Sequence, residues 1–126
     1  MNYRNLLAVV FGVSLFASVT SALAADLAKG AKVYKKCKVC HSLKEGGKHK
    51  IGPNLFGIMG RESGTAKGFK YSKAMKEAGG TWGVSTLTDY LTKPKDFIPG
   101  NKMAFPGLKK AEQIENIIAF LEANTK

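Results

Sequence analysis

Both cysteines of the chain, Cys37 and Cys40, stand three residues apart, and His41 follows the second directly. The other histidine, His49, lies in the same stretch, "KKCKVCHSLKEGGKHKIGPN". Four chemistries use such residues. A thioredoxin-like dithiol uses Cys-x-x-Cys, but within a βαβ setting, and no strand pattern precedes Cys37. A structural zinc site needs four ligands, which Cys37, Cys40, His41 and His49 would supply, yet zinc ligand pairs are usually separated by a dozen residues or more. A plain disulfide leaves His41 without a purpose. Covalent haem attachment, for which Cys-x-x-Cys-His is the known signature, uses all three residues. Two thiols on one helical turn add across the two vinyl groups of one porphyrin, and the next residue projects its imidazole under the iron.

A haem iron held by His41 on one side has a sixth position to fill. Met1, Met59, Met75 and Met103 are the methionines. Met1 belongs to the leader described below, Met75 lies in a predicted helix, and Met59 sits in the loop "FGIMGRESG". Met103 lies in "PKDFIPGNKMAFPG", bracketed by Pro94, Pro99 and Pro106, a segment stiff enough to hold an extended loop against a flat face. A methionine is ordinarily core filler, but packing alone rarely calls for three prolines. His49 is the rival ligand, although only eight residues beyond His41 it would struggle to reach the opposite face.

The elements that must position these residues read as helices. "DLAKGAKVYKKC" follows a cap at Asp26 and puts Leu27, Ala31 and Tyr34 on one face. "SKAMKEAGG" runs from a capping Ser72 to Gly79. "STLTDYLTKP" runs from Ser85 until Pro94 stops it. "KKAEQIENIIAFLEANTK" stripes Ala111, Ile114, Ile117, Ile118 and Leu121 along one side, without a clear capping residue. No stretch alternates apolar and polar residues for long, so no significant sheet is expected. Four short helices supply too little apolar area for a core of their own. The long Gly-rich loop with Pro53 between the first two helices implies that the chain wraps something. Gly30 inside the first helix costs about 1 kcal/mol of propensity, which implies close contact with another backbone, most naturally the last helix.

Ahead of this domain, Met1–Asn5 carries Arg4, residues 6–19 ("LLAVVFGVSLFASV") carry no charge, and "ALA" at Ala22–Ala24 ends in small residues. That is the pattern of a secretory leader with a cleavage site after Ala24; Leu6 to Ala25 is about the 20 residues a retained anchor needs, but the Gly and Ser interruptions and the small-residue site favour cleavage. Residues 1–24 are therefore expected to be a removed signal peptide and residues 25–126 the working domain. Loss of Arg4 takes the net charge from +11 to +10. So basic a domain should seek an acidic partner surface, nucleic acid or an anionic membrane. Export argues against nucleic acid, as does the lack of aromatics interleaved with the lysines.

The residues together resemble the small soluble class I cytochromes c of the bacterial and mitochondrial branch. "CKVCHSLKEGGKHKIGPNLFGIMGR" is similar to that family's haem-binding loop and "GTWGVSTLTDYLTKPKDFIPGNKMAFPGLKK" to its methionine-bearing half. The resemblance implies an all-α fold, about four short helices and long loops wrapped around one covalent haem c. It implies Cys37 and Cys40 as thioether sites, His41 and Met103 as axial iron ligands, and the Pro53 carbonyl as partner of the His41 ring. Arg61, Tyr71 and Trp82 match positions around the haem carboxylates, and Tyr90 matches the tyrosine beside the ligand sulfur. Asn101 stands for a threonine that donates to the cofactor, and Phe105 matches the aromatic closing the exposed haem edge. Gly30, Tyr34, Ile117 and Phe120 match the crossing of the terminal helices. Two further positions depart from the mitochondrial pattern: Met75 replaces an asparagine that helps order an internal water, and Phe69 replaces a tyrosine.

The implied function is a soluble one-electron carrier, not an enzyme, because a filled sixth position leaves no room for substrate. An enzyme or gas sensor whose Met103 dissociates is the alternative. The resemblance places Lys32, Lys36, Lys50, Lys95, Lys102, Lys109 and Lys110 around the haem edge, where a positive ring would steer acidic faces of redox proteins and release them quickly. A bc-type complex, a terminal oxidase, a photosynthetic reaction centre and a periplasmic dehydrogenase all fit as partners. The chain is expected to work as a periplasmic monomer without stable membrane insertion.

Overall fold

A computed structural model describes residues 25–126; the leader expected over residues 1–24 lies outside the described residues. Five helices follow in order: α1 (Leu27–Tyr34), α2 (Lys73–Glu77), α3 (Val84–Thr92), α4 (Pro94–Phe97) and α5 (Ala111–Asn124). Extended pairing among the described residues is confined to one antiparallel bridge between Glu62 and Thr81. The all-α expectation holds.

Local chemistry accounts for most helix boundaries. Asp26 caps α1 by accepting the Lys29 N–H at 3.0 Å, and Ser72 caps α2 by accepting the Met75 N–H at 3.1 Å. For α3 the sequence points to Ser85, but the cap residue is Gly83, and the Thr86 hydroxyl accepts the Gly83 N–H at 2.9 Å. The third helix also does not end the helical run at Pro94. Proline has a helical φ and no N–H to leave unsatisfied, so it opens a fresh turn, α4. α5 begins at Ala111 with no side-chain cap.

Gly30 explains how the ends of the domain meet. A Cβ there would stand 2.6 Å from the Phe120 Cβ and collide with the Asn116 carbonyl, so α1 and α5 cross with their backbones nearly touching. The Asp26 N–H donates to the Asn116 Oδ1 at 2.7 Å across the same crossing, and Tyr34 lies against Phe120 with ring centroids 5.3 Å apart. Val33, Leu87, Leu91, Leu108, Ile114, Ile117, Ile118 and Leu121 are buried in the shared core. The stripe read on α5 is met at four positions; Ala111 is exposed and Asn116 is buried in addition.

Two long segments complete the shell. One runs from Lys35 to Ser72 and is tied to the end of α5 by Gly57 N–H donating to the Thr125 carbonyl at 2.7 Å. The other, from Ile98 to Lys110, lies along α3, with Leu108 N–H donating to the Leu91 carbonyl at 2.8 Å.

Candidate functional site

After α1 the chain continues in hydrogen-bonded turns. Cys37 N–H donates to the Tyr34 carbonyl at 2.8 Å, and the N–H groups of Cys40 and His41 both donate to the Cys37 carbonyl, at 3.0 and 2.9 Å. The two thiols thus sit one turn apart with the imidazole next in line. Both cysteines are free and half-buried. Burial against the core pushes the Cys37 thiol up to about 11.

The His41 ring is fixed twice. Its Nδ1 lies 2.7 Å from the Pro53 carbonyl, which makes Nδ1 the protonated nitrogen and leaves Nε2 as a lone pair. Gly52 lies against the ring: a Cβ would stand 2.8 Å from both ring nitrogens. Gly52 N–H donates to the Cys40 carbonyl at 2.8 Å, and the Tyr34 hydroxyl donates to the His41 carbonyl at 3.2 Å. Burial holds the imidazole below its usual range; the Pro53 bond opposes this, and the charges of Lys50 and Arg61 add to it. The neutral form is the one a metal can use.

His49 serves elsewhere. Its Nδ1 accepts the Asn54 N–H at 2.9 Å, so its Nε2–H donates to the Lys67 carbonyl at 2.8 Å. With both ring nitrogens engaged, it cannot rival Met103. Nor, among the described residues, is any group of three His, Cys, Asp or Glu side chains placed to hold a metal ion, so the four-ligand zinc reading lacks its geometry.

The Tyr90 hydroxyl donates to the Met103 Sδ at 3.7 Å. Tyr90 is buried, which pushes its hydroxyl up to about 12 and keeps it a neutral donor at any ordinary pH. Tyr90 packs on Trp82 with centroids 4.9 Å apart, and Trp82 N–H donates to the Arg61 carbonyl at 2.9 Å. Met103, Phe105 and Tyr71 are half-buried and pack on the core. The Tyr71 hydroxyl accepts the Ala66 N–H at 3.1 Å, and its ring meets Phe69 edge-on at 4.8 Å. Met75 is itself a core residue.

Arg61 tests whether a haem fits. Its terminal nitrogens donate to the carbonyls of Asn54 and Phe56 at 3.1–3.2 Å, but its Nε is buried with no hydrogen-bond partner. A buried guanidinium N–H without an acceptor is costly, and a carboxylate of the kind haem carries would satisfy it. The free thiols on one turn, the open imidazole nitrogen and the half-buried thioether complete a donor set suited to haem.

Three contributors are not apparent from the motif alone. Gly52 is needed because only a residue without a side chain can lie against the His41 ring. Asn54, buried, spans the loop, donating to the carbonyls of Lys44 and Gly47 at 2.7 and 2.9 Å and accepting the Phe56 N–H at 2.8 Å. Asn116 ties α5 to the start of α1. An asparagine inside a Gly/Pro-rich loop is a recognisable sign of such bracing. The seven lysines expected at the haem edge are all exposed, and none joins the ion pairs of the described residues, which are Lys29–Glu112, Lys73–Glu77 and Lys93–Asp96. Lys50 donates to the Lys38 carbonyl and Lys95 to the Asn101 carbonyl. No described helix is long and apolar enough to cross a membrane.

A helical shell built around a Cys-x-x-Cys-His turn defines a class of haem-carrying domain, and the comparisons agree. The family model for cytochrome c matches residues 27–125. A cytochrome c of Chlamydomonas reinhardtii is 58% identical over 103 residues, covering 81% of this chain and 92% of the relative. A cytochrome c2 of Blastochloris viridis is 46% identical over 115 residues, 90% of this chain and 91% of the relative. Among solved structures, cytochrome cH from Methylobacterium extorquens superposes with a TM-score of 0.73 at 38% identity, over 78% of this chain and 98% of that one. The chain belongs to the cytochrome c family of electron carriers, and its cofactor is one covalently attached haem c.

Proposed function

We propose that Cys37 and Cys40 hold the haem through thioether bonds, that His41 and Met103 ligate its iron, and that the chain shuttles single electrons between redox partners. The observation that carries this reading is the His41 ring, locked as a neutral imidazole with Nε2 open. Bound haem would supply reversible one-electron chemistry, as is known for cytochromes c. The chain's own residues do the rest. Pro53 and Gly52 fix the tautomer and the plane of the imidazole. Burial keeps that imidazole unprotonated. Tyr90 donates to the sulfur, drawing electron density from it and favouring the lower oxidation state. Arg61 offers its spare N–H to a haem carboxylate, with Trp82 and Tyr71 alongside. Phe105 covers the edge. With His41 and Met103 both holding the iron, the site would transfer electrons and not turn over substrate.

We extend the reading to residues 1–24 as an export signal, which puts residues 25–126 to work in the periplasm as a soluble monomer. Protein from a host that attaches haem to Cys-x-x-Cys-His should begin at Ala25, be red, and when reduced bind no carbon monoxide at neutral pH. Ready binding of carbon monoxide by the reduced protein would make it a sensor or peroxidase instead, and colourless protein would end the haem-attachment reading.

The seven exposed lysines are the proposed docking ring for acidic faces of a bc-type complex, terminal oxidase, reaction centre or periplasmic dehydrogenase. Exposed charges are screened within about 8 Å at physiological salt. The association rate with such a partner should therefore fall about tenfold or more between low and physiological ionic strength. Stopped-flow mixing across a salt series is the measurement, and a flat series would remove the ring from the docking scheme.

A further inference from the structure

Asn101 is 3% exposed, and its side-chain amide is fully engaged. α4 is a single turn; its Pro94 carbonyl accepts the Ile98 N–H at 3.0 Å, and the Ile98 carbonyl just beyond it accepts the Asn101 N–H at 3.1 Å. Asn101 Nδ2 gives each of these two carbonyls a second donor, at 2.7 Å apiece. On its other side, Oδ1 accepts the Met103 N–H at 3.0 Å. These partners also fix which end of the amide is nitrogen, because only Nδ2 can serve two carbonyls and only Oδ1 an N–H. Gly100, with φ +88°, lets the chain turn back so that residue 101 faces the end of α4. No amide hydrogen is left for a haem carboxylate, so the expectation that Asn101 donates to the cofactor gives way to a different role.

We propose that Asn101 is the positioning residue for Met103: it hangs the ligand-bearing loop from the end of α4 and sets how firmly the thioether stays on the iron. The proposal rests on the reading of Met103 as the axial ligand. Two tethers then act on that residue, Asn101 on its backbone and Tyr90 on its sulfur. A threonine, which the family resemblance has at this position, carries one hydroxyl hydrogen and cannot serve two carbonyls. The loop of this chain is accordingly held more tightly than a threonine would hold it.

A thioether is a weak ligand that an added base displaces, so imidazole binding to the ferric haem-loaded protein reads the strength of the latch directly. Asn101→Leu, which removes all three bonds at similar volume, should bind imidazole about tenfold more tightly than the parent. Asn101→Thr should fall between the two, and it decides the matter on the same scale if Asn101→Leu yields no haem-loaded protein. Ile118→Val, a core change away from the loop, should lower the unfolding midpoint while leaving imidazole affinity unchanged. Parent-like affinity in the residue 101 variants, or an equal gain in Ile118→Val, would overturn the latch. Met103→Ala separates the two levels. It should bind imidazole tightly whatever occupies position 101; if it binds like the parent, the ligation reading falls together with the latch.

Discussion

Met103→Ala protein should lose about 0.2 V of midpoint potential, equivalent to roughly 5 kcal/mol of preference for the reduced state. A thioether is a soft, neutral ligand, and soft ligands favour the lower oxidation state. The vacated position would be taken by water or hydroxide, harder donors that favour ferric iron. The Tyr90 hydroxyl on the sulfur, 3.7 Å away, works in the same direction as the thioether and would lose its partner in the variant. The weak sulfur-to-iron absorption band of the ferric form should vanish with the potential. Met59→Ala and Met75→Ala provide the contrast. Met75 is buried and Met59 packs on the same core, so their truncation should cost about 2–5 kcal/mol of stability at most, with the band retained. Potentiometric titration beside optical spectra distinguishes these outcomes, and a Met103→Ala protein with parent-like band and midpoint would assign the sixth position to another group.

The parts of this fold that could be read from the chain are those whose cause is local. Asp26 and Ser72 cap helices because the acceptor and the N–H it serves are three residues apart, and Cys37, Cys40 and His41 reach one face because a single turn connects them. Gly30 could be read because a glycine inside a helix has a cost that only a tertiary contact offsets. What escaped depends on partners far away in sequence. Thr86 and Ser85 look alike as capping residues, and only the path of the chain before α3 selects the Thr86 hydroxyl for the Gly83 N–H. Pro94 stops one helix and starts another, and both readings suit its geometry. His49 passes for an iron ligand until Asn54 and Lys67 are seen on its two nitrogens. Asn101 reads as a cofactor donor by its position in the family pattern, whereas its amide hydrogens go to the carbonyls of Pro94 and Ile98. Polar side chains with several possible partners are decided by the assembled fold, and in this protein they are the ones that hold the loops carrying His41 and Met103.

Replacing Gly30 with alanine tests the other support of the site, the crossing that closes the shell. Propensity alone predicts a gain of about 1 kcal/mol, since alanine favours a helix interior over glycine. Packing predicts the reverse and should win. The new methyl group would sit 2.6 Å from the Phe120 Cβ and against the Asn116 carbonyl. The second contact is with backbone, which cannot rotate out of the way. Relief requires α1 and α5 to move apart, loosening the Asp26–Asn116 hydrogen bond, the Tyr34–Phe120 contact and the buried face of Val33. Overpacking of this kind typically costs about 1–3 kcal/mol and sometimes more; with backbone on one side of the clash, a net loss of about 3 kcal/mol is expected. Ala28→Gly sets the scale, because Ala28 is exposed in the same helix and its replacement should cost about 1 kcal/mol through propensity alone. Guanidinium unfolding of the haem-loaded proteins should rank them parent, Ala28→Gly, Gly30→Ala in falling stability. His41 is tied to this crossing through the Tyr34 hydroxyl, so the same shift would reach the His41 turn. A Gly30→Ala protein as stable as the parent would mean that the helices do not meet as closely as their backbones place them.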